Sequence, residues 1–161
     1  MKKNQDEACL RYTKQFDKIE LDSMEVSKAE WEAQILKCDA QFMQAMKLAK
    51  QNIEDFHNLQ KHHGYLLQKE MGIYLGQRVL PLEAVGIYVP GGRAQYPSSV
   101  LMNALPAKIA GVNNVVMVTP PDKQGTIHPN IAYAAKLAGV DKIYKIGGAQ
   151  AIAALAYRTQ T

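Results

Sequence analysis

Trp31, Ile35, Cys38, Phe42, Ala45, Ala49, Ile53 and Phe56 follow one another at spacings of three and four, which places them on one face of a helix. The spacing predicts a single long helix from Ser27 to about Gln60. Ser27 and Glu30 give it an S-x-x-E capping box, in which each side chain satisfies the other residue's free backbone N–H. A shorter amphipathic helix is expected over residues 4–16, with Ala8, Leu10, Tyr12 and Phe16 as its apolar members and no cap at its start. Both stripes read as faces packed on a core.

From Gly64 onward the pattern changes to glycines and β-branched or aromatic residues. GIYLGQRVLPLEAVGIYVPGG, residues 72–92, predicts one or two extended segments broken at Pro81, then a strand Val85–Val89 that ends in a Pro-Gly-Gly turn. A unit then repeats. The strand at 85–89 is followed by a helix over Ser98–Ala110, a strand at 114–118 by a helix at 129–138, and a strand at 142–146 by a helix from Ala149. The strand starts lie about one βαβ crossover apart, so the three strands are expected to be parallel. The fold class is therefore α/β, a partial doubly wound (Rossmann-like) parallel sheet preceded by a helical arm. Residues 1–63 form that arm, 64–84 an extended connecting segment, and 85–161 an incomplete βαβαβα dinucleotide-binding domain.

Composition excludes several classes. At 161 residues and 47% hydrophobic content the chain builds a core, and it contains no run long and apolar enough to span a membrane. The charged start MKKNQDEACLR is not a secretory signal, so a cytoplasmic location is expected. Cys9 and Cys38 lack metal or disulfide spacing and read as small buried or half-buried thiols. His57, His62 and His63 sit at and after a helix end, and His128 in a loop, so no metal site is expected from this chain. Residues 1–80 hold 12 basic and 12 acidic side chains, whereas residues 81–161 hold 7 and 3. That excess favours an anionic ligand or an acidic partner surface. Its bases are dispersed, which argues against nucleic acid.

Ligands of open parallel sheets bind beyond the carboxyl ends of the strands, where helix N-termini offer free N–H groups. Those ends are Pro90-Gly91-Gly92, Thr119-Pro120-Pro121 and Gly147-Gly148-Ala149-Gln150. Glycine there admits a ligand or a neighbouring backbone, and proline holds the loop without offering a donor. The fingerprint G-x-G-x-x-G is absent. Tyr88 is placed to stack on a flat ring, and Gln150 to donate and accept hydrogen bonds from a helix start.

VGIYVPGGRAQYPSSVLMNALPAKIAGVNNVVMVTPP and LAGVDKIYKIGGAQAIAALAY, together with DEACLRYTKQFD, IEDFH and LGQRVLPL, resemble the NAD-dependent histidinol dehydrogenase family over nearly the whole chain. The resemblance implies a homodimeric zinc oxidoreductase with active sites shared between subunits. Such an enzyme oxidises L-histidinol to L-histidine through an aldehyde with two NAD molecules, as the last step of histidine biosynthesis. The family's NAD-contacting tyrosine in G-[IL]-Y-[VI]-P-G-G falls on Tyr88, and its NAD-contacting glutamine in G-G-A-Q falls on Gln150. Pro90 and Pro120 are expected to line the same pocket.

The family's zinc ligands, its Glu-His acid/base pair and a third NAD contact, an Asn in a G-P-G-N block, match no block of this sequence. No catalytic or metal residue is assigned here. The chain is accordingly expected to be a fragment shortened at both ends, inactive alone and weak in NAD binding. Ala151, Ile152, Leu155 and Tyr157 would then be partly uncovered and promote association. Arg158 stands where the family has a glycine, a replacement expected to cost about 1 kcal/mol at a left-handed C-cap, and gene decay or a split gene would account for it. The alternatives are an NAD-binding piece of a split enzyme completed by a C-terminal chain, and a non-catalytic nucleotide-binding or interaction module.

Overall fold

The computed structural model describes residues 5–91 and 95–157. Its first helix, α1 (Gln5–Phe16), covers the amphipathic stretch at the start. The single helix expected from Ser27 to Gln60 is instead two, α2 (Lys28–Ile35) and α3 (Ala40–Asn58). The cause is a cap. Asp39 takes an extended conformation and its carboxylate accepts the Phe42 N–H at 2.8 Å, which starts a new helix inside the stripe. The apolar spacing runs through the break because Trp31, Ile35, Cys38 and Phe42 all pack on one core.

The capping box is half made. Ser27 Oγ accepts the Glu30 N–H at 3.1 Å, but the Glu30 carboxylate turns away and accepts the Lys145 ammonium on both oxygens, at 3.0 and 3.1 Å. A side chain with an ion-pair partner near at hand has no need of the weaker backbone contact.

Next comes an antiparallel hairpin of β1 (Tyr65–Glu70) and β2 (Ile73–Gln77), exposed along both strands. Gly72 turns it at φ +84. β1 lies ahead of the extended window expected at 72–92, its QKE stretch carrying none of the usual strand signal. The remaining elements alternate: β3 (Ala84–Tyr88), α4 (Pro97–Ile109), β4 (Asn114–Thr119), α5 (Pro129–Ala138), β5 (Lys142–Lys145) and α6 (Gly148–Tyr157). The strands form one parallel sheet in the order β3-β4-β5. The structure thus has the expected mixed α/β architecture.

Strand alternation separates the side chains into two faces. Ile87, Val115, Met117 and Ile143 enter a large core with Val100, Leu101 and Leu105 of α4 and Ile131 and Ala135 of α5. α2 and α3 join that same core through Trp31, Ile35, Phe42 and Ile53, and the Trp31 indole N–H donates to the Ala132 carbonyl at 2.8 Å. On the opposite face Tyr88, Val118, Tyr144 and Ile146 meet Cys9 of α1 and Ala151, Ala154 and Leu155 of α6. Helices on both faces make the sheet doubly wound. Beyond β5, residues 24–26 run antiparallel to it, with Lys145 N–H donating to Met24 O at 2.7 Å and Val26 N–H to Ile143 O at 2.9 Å.

Charge in the second half finds its complement inside the chain. Lys142 pairs with Glu25 at 3.2 Å, Lys145 with Glu30 at 3.0 Å and Lys136 with Glu32 at 4.0 Å. The acidic surface entertained for a partner is thus supplied in part by residues 25–32. Lys108 pairs locally with Asp141 at 2.7 Å.

Candidate functional site at the carboxyl rim

The three strand ends lie on one rim and interlock around Pro120. A Cβ on Gly91 would lie 3.2 Å from both Pro120 Cδ and the Pro120 carbonyl oxygen, and a Cβ on Gly147 would lie 2.5 Å from Pro120 Cγ and 2.9 Å from its Cβ. Gly147 is therefore required by the proline ring, and Gly91 lies tightly against it. Of the two uses open to glycine here, close approach of neighbouring chain accounts for these two positions. Pro120 is half-buried as the wedge of the rim, while Pro90 is exposed. Gly92 and Arg93, in the first of these turns, lie outside the described residues, as does Arg158.

Tyr88 and Gln150 come together on this rim. Tyr88 is the last residue of β3, its ring on the α6 face, and its hydroxyl oxygen accepts the backbone N–H of Gly148 at 3.1 Å. β4 lies between β3 and β5, so the phenol reaches past one strand end to hold the turn after the next. Gly148 opens α6 at φ +65, and a Cβ there would be 2.7 Å from Gln150 Oε1. Its carboxamide is thus folded back over the glycine, and Gln150 is 7% exposed. A flat aromatic face, a carboxamide and the start of a helix stand within one corner of the sheet.

Below that corner the α6 face is open. A groove of about 450 Å³ runs along it, lined by Met24, Gly86, Val118, Tyr144, Ala154 and Leu155. The Leu155 side chain of α6 lies directly over Gly86, where a Cβ would be 2.7 Å from its Cδ1. Ile152 and Tyr157 are exposed, as expected of α6, but Ala151 is fully buried between the helix and the sheet, against the expectation that it would be partly uncovered.

Other candidate groups have structural partners. His128, read as a loop residue, is the N-cap of α5, its Nδ1 accepting the Asn130 N–H at 3.2 Å. Histidine is an uncommon cap, and only the following Pro129 signalled a helix start there. His57 shares a hydrogen bond with Gln60 at 2.6 Å. Both cysteines are free, Cys9 buried, and burial pushes each thiol pKa up, away from the reactive range. Among the described residues there is no cluster of three or more His, Cys, Asp or Glu side chains that could hold a metal ion, and no helix long and apolar enough to cross a membrane.

Comparison with known proteins identifies the family. The sequence model described as histidinol dehydrogenase matches residues 1–161. The histidinol dehydrogenase of Clostridium acetobutylicum is 56% identical over 161 residues, covering 100% of this chain and 37% of that protein. That of Listeria monocytogenes is 52% identical over 161 residues, covering 100% of this chain and 38% of the relative. A crystal structure of histidinol dehydrogenase from Elizabethkingia anophelis superposes with a TM-score of 0.94 at 42% identity, covering 99% of this chain and 37% of that one. This chain spans little more than a third of the relatives it matches, and over that span it belongs to the histidinol dehydrogenase family.

Proposed function

We propose that this chain supplies part of the NAD site of an enzyme that oxidises L-histidinol to L-histidine, with Tyr88 and Gln150 as its cofactor contacts. Family membership supports the reaction class, and one observation supports the site: the Tyr88 hydroxyl sits 3.1 Å from the first residue of the helix that carries Gln150. The donor set suits a dinucleotide. The phenol ring offers a stacking face, the carboxamide a donor and an acceptor, and the α6 start an environment favourable to phosphate. When bound, NAD supplies the hydride acceptor. The protein's part in this corner is to orient that cofactor against the rim formed by Gly91, Pro120 and Gly147.

Zinc does not fit the described residues, among which no three His, Cys, Asp or Glu side chains cluster to hold a metal ion. Removing hydride from an alcohol also requires a base for the hydroxyl proton, and we assign none. The chain alone is therefore proposed to bind NAD weakly and to lack turnover, acting in the cytoplasm as part of a homodimeric enzyme. The domain division is proposed as residues 1–63, 64–84 and 85–161.

Isothermal titration with NAD tests the reading. Binding that is lost in both Tyr88→Ala and Gln150→Ala is the expected result. No binding at any concentration, or binding indifferent to both substitutions, overturns the site. Turnover of L-histidinol by the purified chain with added zinc at the rate of a complete enzyme would overturn the proposed inactivity.

A further inference from the structure

We infer that the Tyr88 hydroxyl is a positioning group, a strut that fixes the β5–α6 turn and through it the Gln150 carboxamide. Its consequence for cofactor affinity rests on the NAD reading; its structural content does not. The Gly148 N–H lies at the start of α6, where backbone donors have no partner within the helix. Here the phenol, from a strand two positions away in the sheet, accepts it at 3.1 Å.

Gly148 passes this constraint on. Its φ of +65 is one an L side chain rarely adopts, and the space a Cβ would need is filled by Gln150 Oε1 at 2.7 Å. Hydroxyl, glycine and carboxamide are therefore in series: the first holds the second by a hydrogen bond, and the second seats the third by lacking a side chain. On its other side the turn is pinned, because Gly147 abuts the Pro120 ring. The turn against which the carboxamide packs is thus held from both sides, and the phenol keeps its own O–H as a donor. The same residue thus presents a ring to a ligand and sets the placement of the neighbouring amide. A phenylalanine would keep the first role and lose the second.

The test uses Tyr88→Phe in the full chain, labelled with 15N glycine and glutamine. The strut predicts that the Gly148 amide exchanges with solvent about five-fold faster in Tyr88→Phe, the effect of one neutral hydrogen bond. The Gln150 side-chain amide signals should shift, while amides in the middle of β4 keep wild-type rates. NAD affinity should fall about five-fold in Tyr88→Phe and further in Tyr88→Ala, with the melting temperature of Tyr88→Phe essentially unchanged. Unaltered Gly148 exchange overturns the strut. So does NAD affinity that is equal or higher in Tyr88→Phe while Tyr88→Ala binds poorly, because the ring alone would then act. Faster Gly148 exchange with NAD binding indifferent even to Tyr88→Ala would sustain the strut and overturn the NAD reading, so the two failures are separable.

Discussion

The sheet's two faces are built from similar residues yet end in different states. The α4/α5 face is covered twice, first by those helices and then by α2 and α3, so that Val100, Leu101, Val115, Met117 and Ile143 are fully buried. Among the described residues the other face carries α1, α6 and Met24, and a groove of about 450 Å³ remains beside Gly86, Tyr144 and Leu155. The first face is filled at its centre, and a groove of about 620 Å³ lies only at its edge, beside Val85, Pro106 and Val112. Incomplete filling on the other leaves an apolar groove along the face that carries α6.

The largest expected effect of a substitution therefore lies on the filled face. Leu101→Ala should cost about 3 kcal/mol, because its neighbours are too tightly packed to collapse into the space left. Leu155→Ala, a half-buried residue beside the groove, should cost about 1 kcal/mol. Denaturant melts of the two variants check this; equal losses would mean that the faces are equally packed.

Glycine substitutions sharpen the same contrast. Gly147→Ala drives a methyl into the rigid Pro120 ring and should cost about 2 kcal/mol. Gly86→Ala meets an approach of similar closeness, but from the tip of Leu155, a flexible side chain that borders the groove. It should cost under about 1 kcal/mol. Thermal unfolding of both distinguishes them, and a reversed order would show the rim to be the softer region.

That distinction was only partly open to sequence reasoning. The repeating strand and helix units, the three Pro/Gly turns on one edge, and the placement of residues 88 and 150 at strand and helix ends follow from local chemistry, because hydrophobic periodicity and turn residues act over a few positions. What escaped depends on distant partners. Glu30 looked like half of a capping box until Lys145 claimed its carboxylate. The break at Asp39 was hidden because both helices feed one core and keep its spacing. Residues 24–26 gave no strand signal, since their pairing is decided by β5, well over a hundred positions later. Whether Gly91 and Gly147 make room for a ligand or for Pro120 is a question only three dimensions answer.

Two carboxylates on these faces should respond oppositely to acid. At Asp141 burial alone would raise the pKa, but hydrogen bonds from the Lys108 ammonium and the Val115 N–H, both at 2.7 Å, outweigh it and hold the carboxyl below its usual value. Its contribution is complete above the unfolded value of about 3.9 and is lost as pH falls through the folded one. Asp141→Asn should cost on the order of 1 kcal/mol at pH 7, with the difference shrinking below about pH 4. Asp17, at the end of α1, is raised by burial, and its Oδ2 has no hydrogen-bond partner among the described residues. A raised carboxyl favours the folded state most when protonated, so that advantage fades as pH rises through the folded value. Asp17→Asn should be neutral or stabilising at pH 7 and lose its advantage in acid. Urea melts from pH 3 to 7 decide both signs.

The smallest effect is expected in the hairpin, which packs on neither face. Leu66 and Leu67 are 74% and 56% exposed, and β1 and β2 are exposed along their whole length. Removing apolar area that is already in water forfeits almost no burial, and threonine is as good a strand former as leucine. Leu66→Thr and Leu67→Thr should each change unfolding free energy by less than about 0.5 kcal/mol. The backbone ladder from Tyr65↔Gln77 to Glu70↔Ile73 survives either change, so strand content by circular dichroism should hold as well. A loss above about 1 kcal/mol in the isolated chain would mean that the hairpin folds back onto the open face, and the contrast between a filled and an unfilled side of the sheet would have to be redrawn.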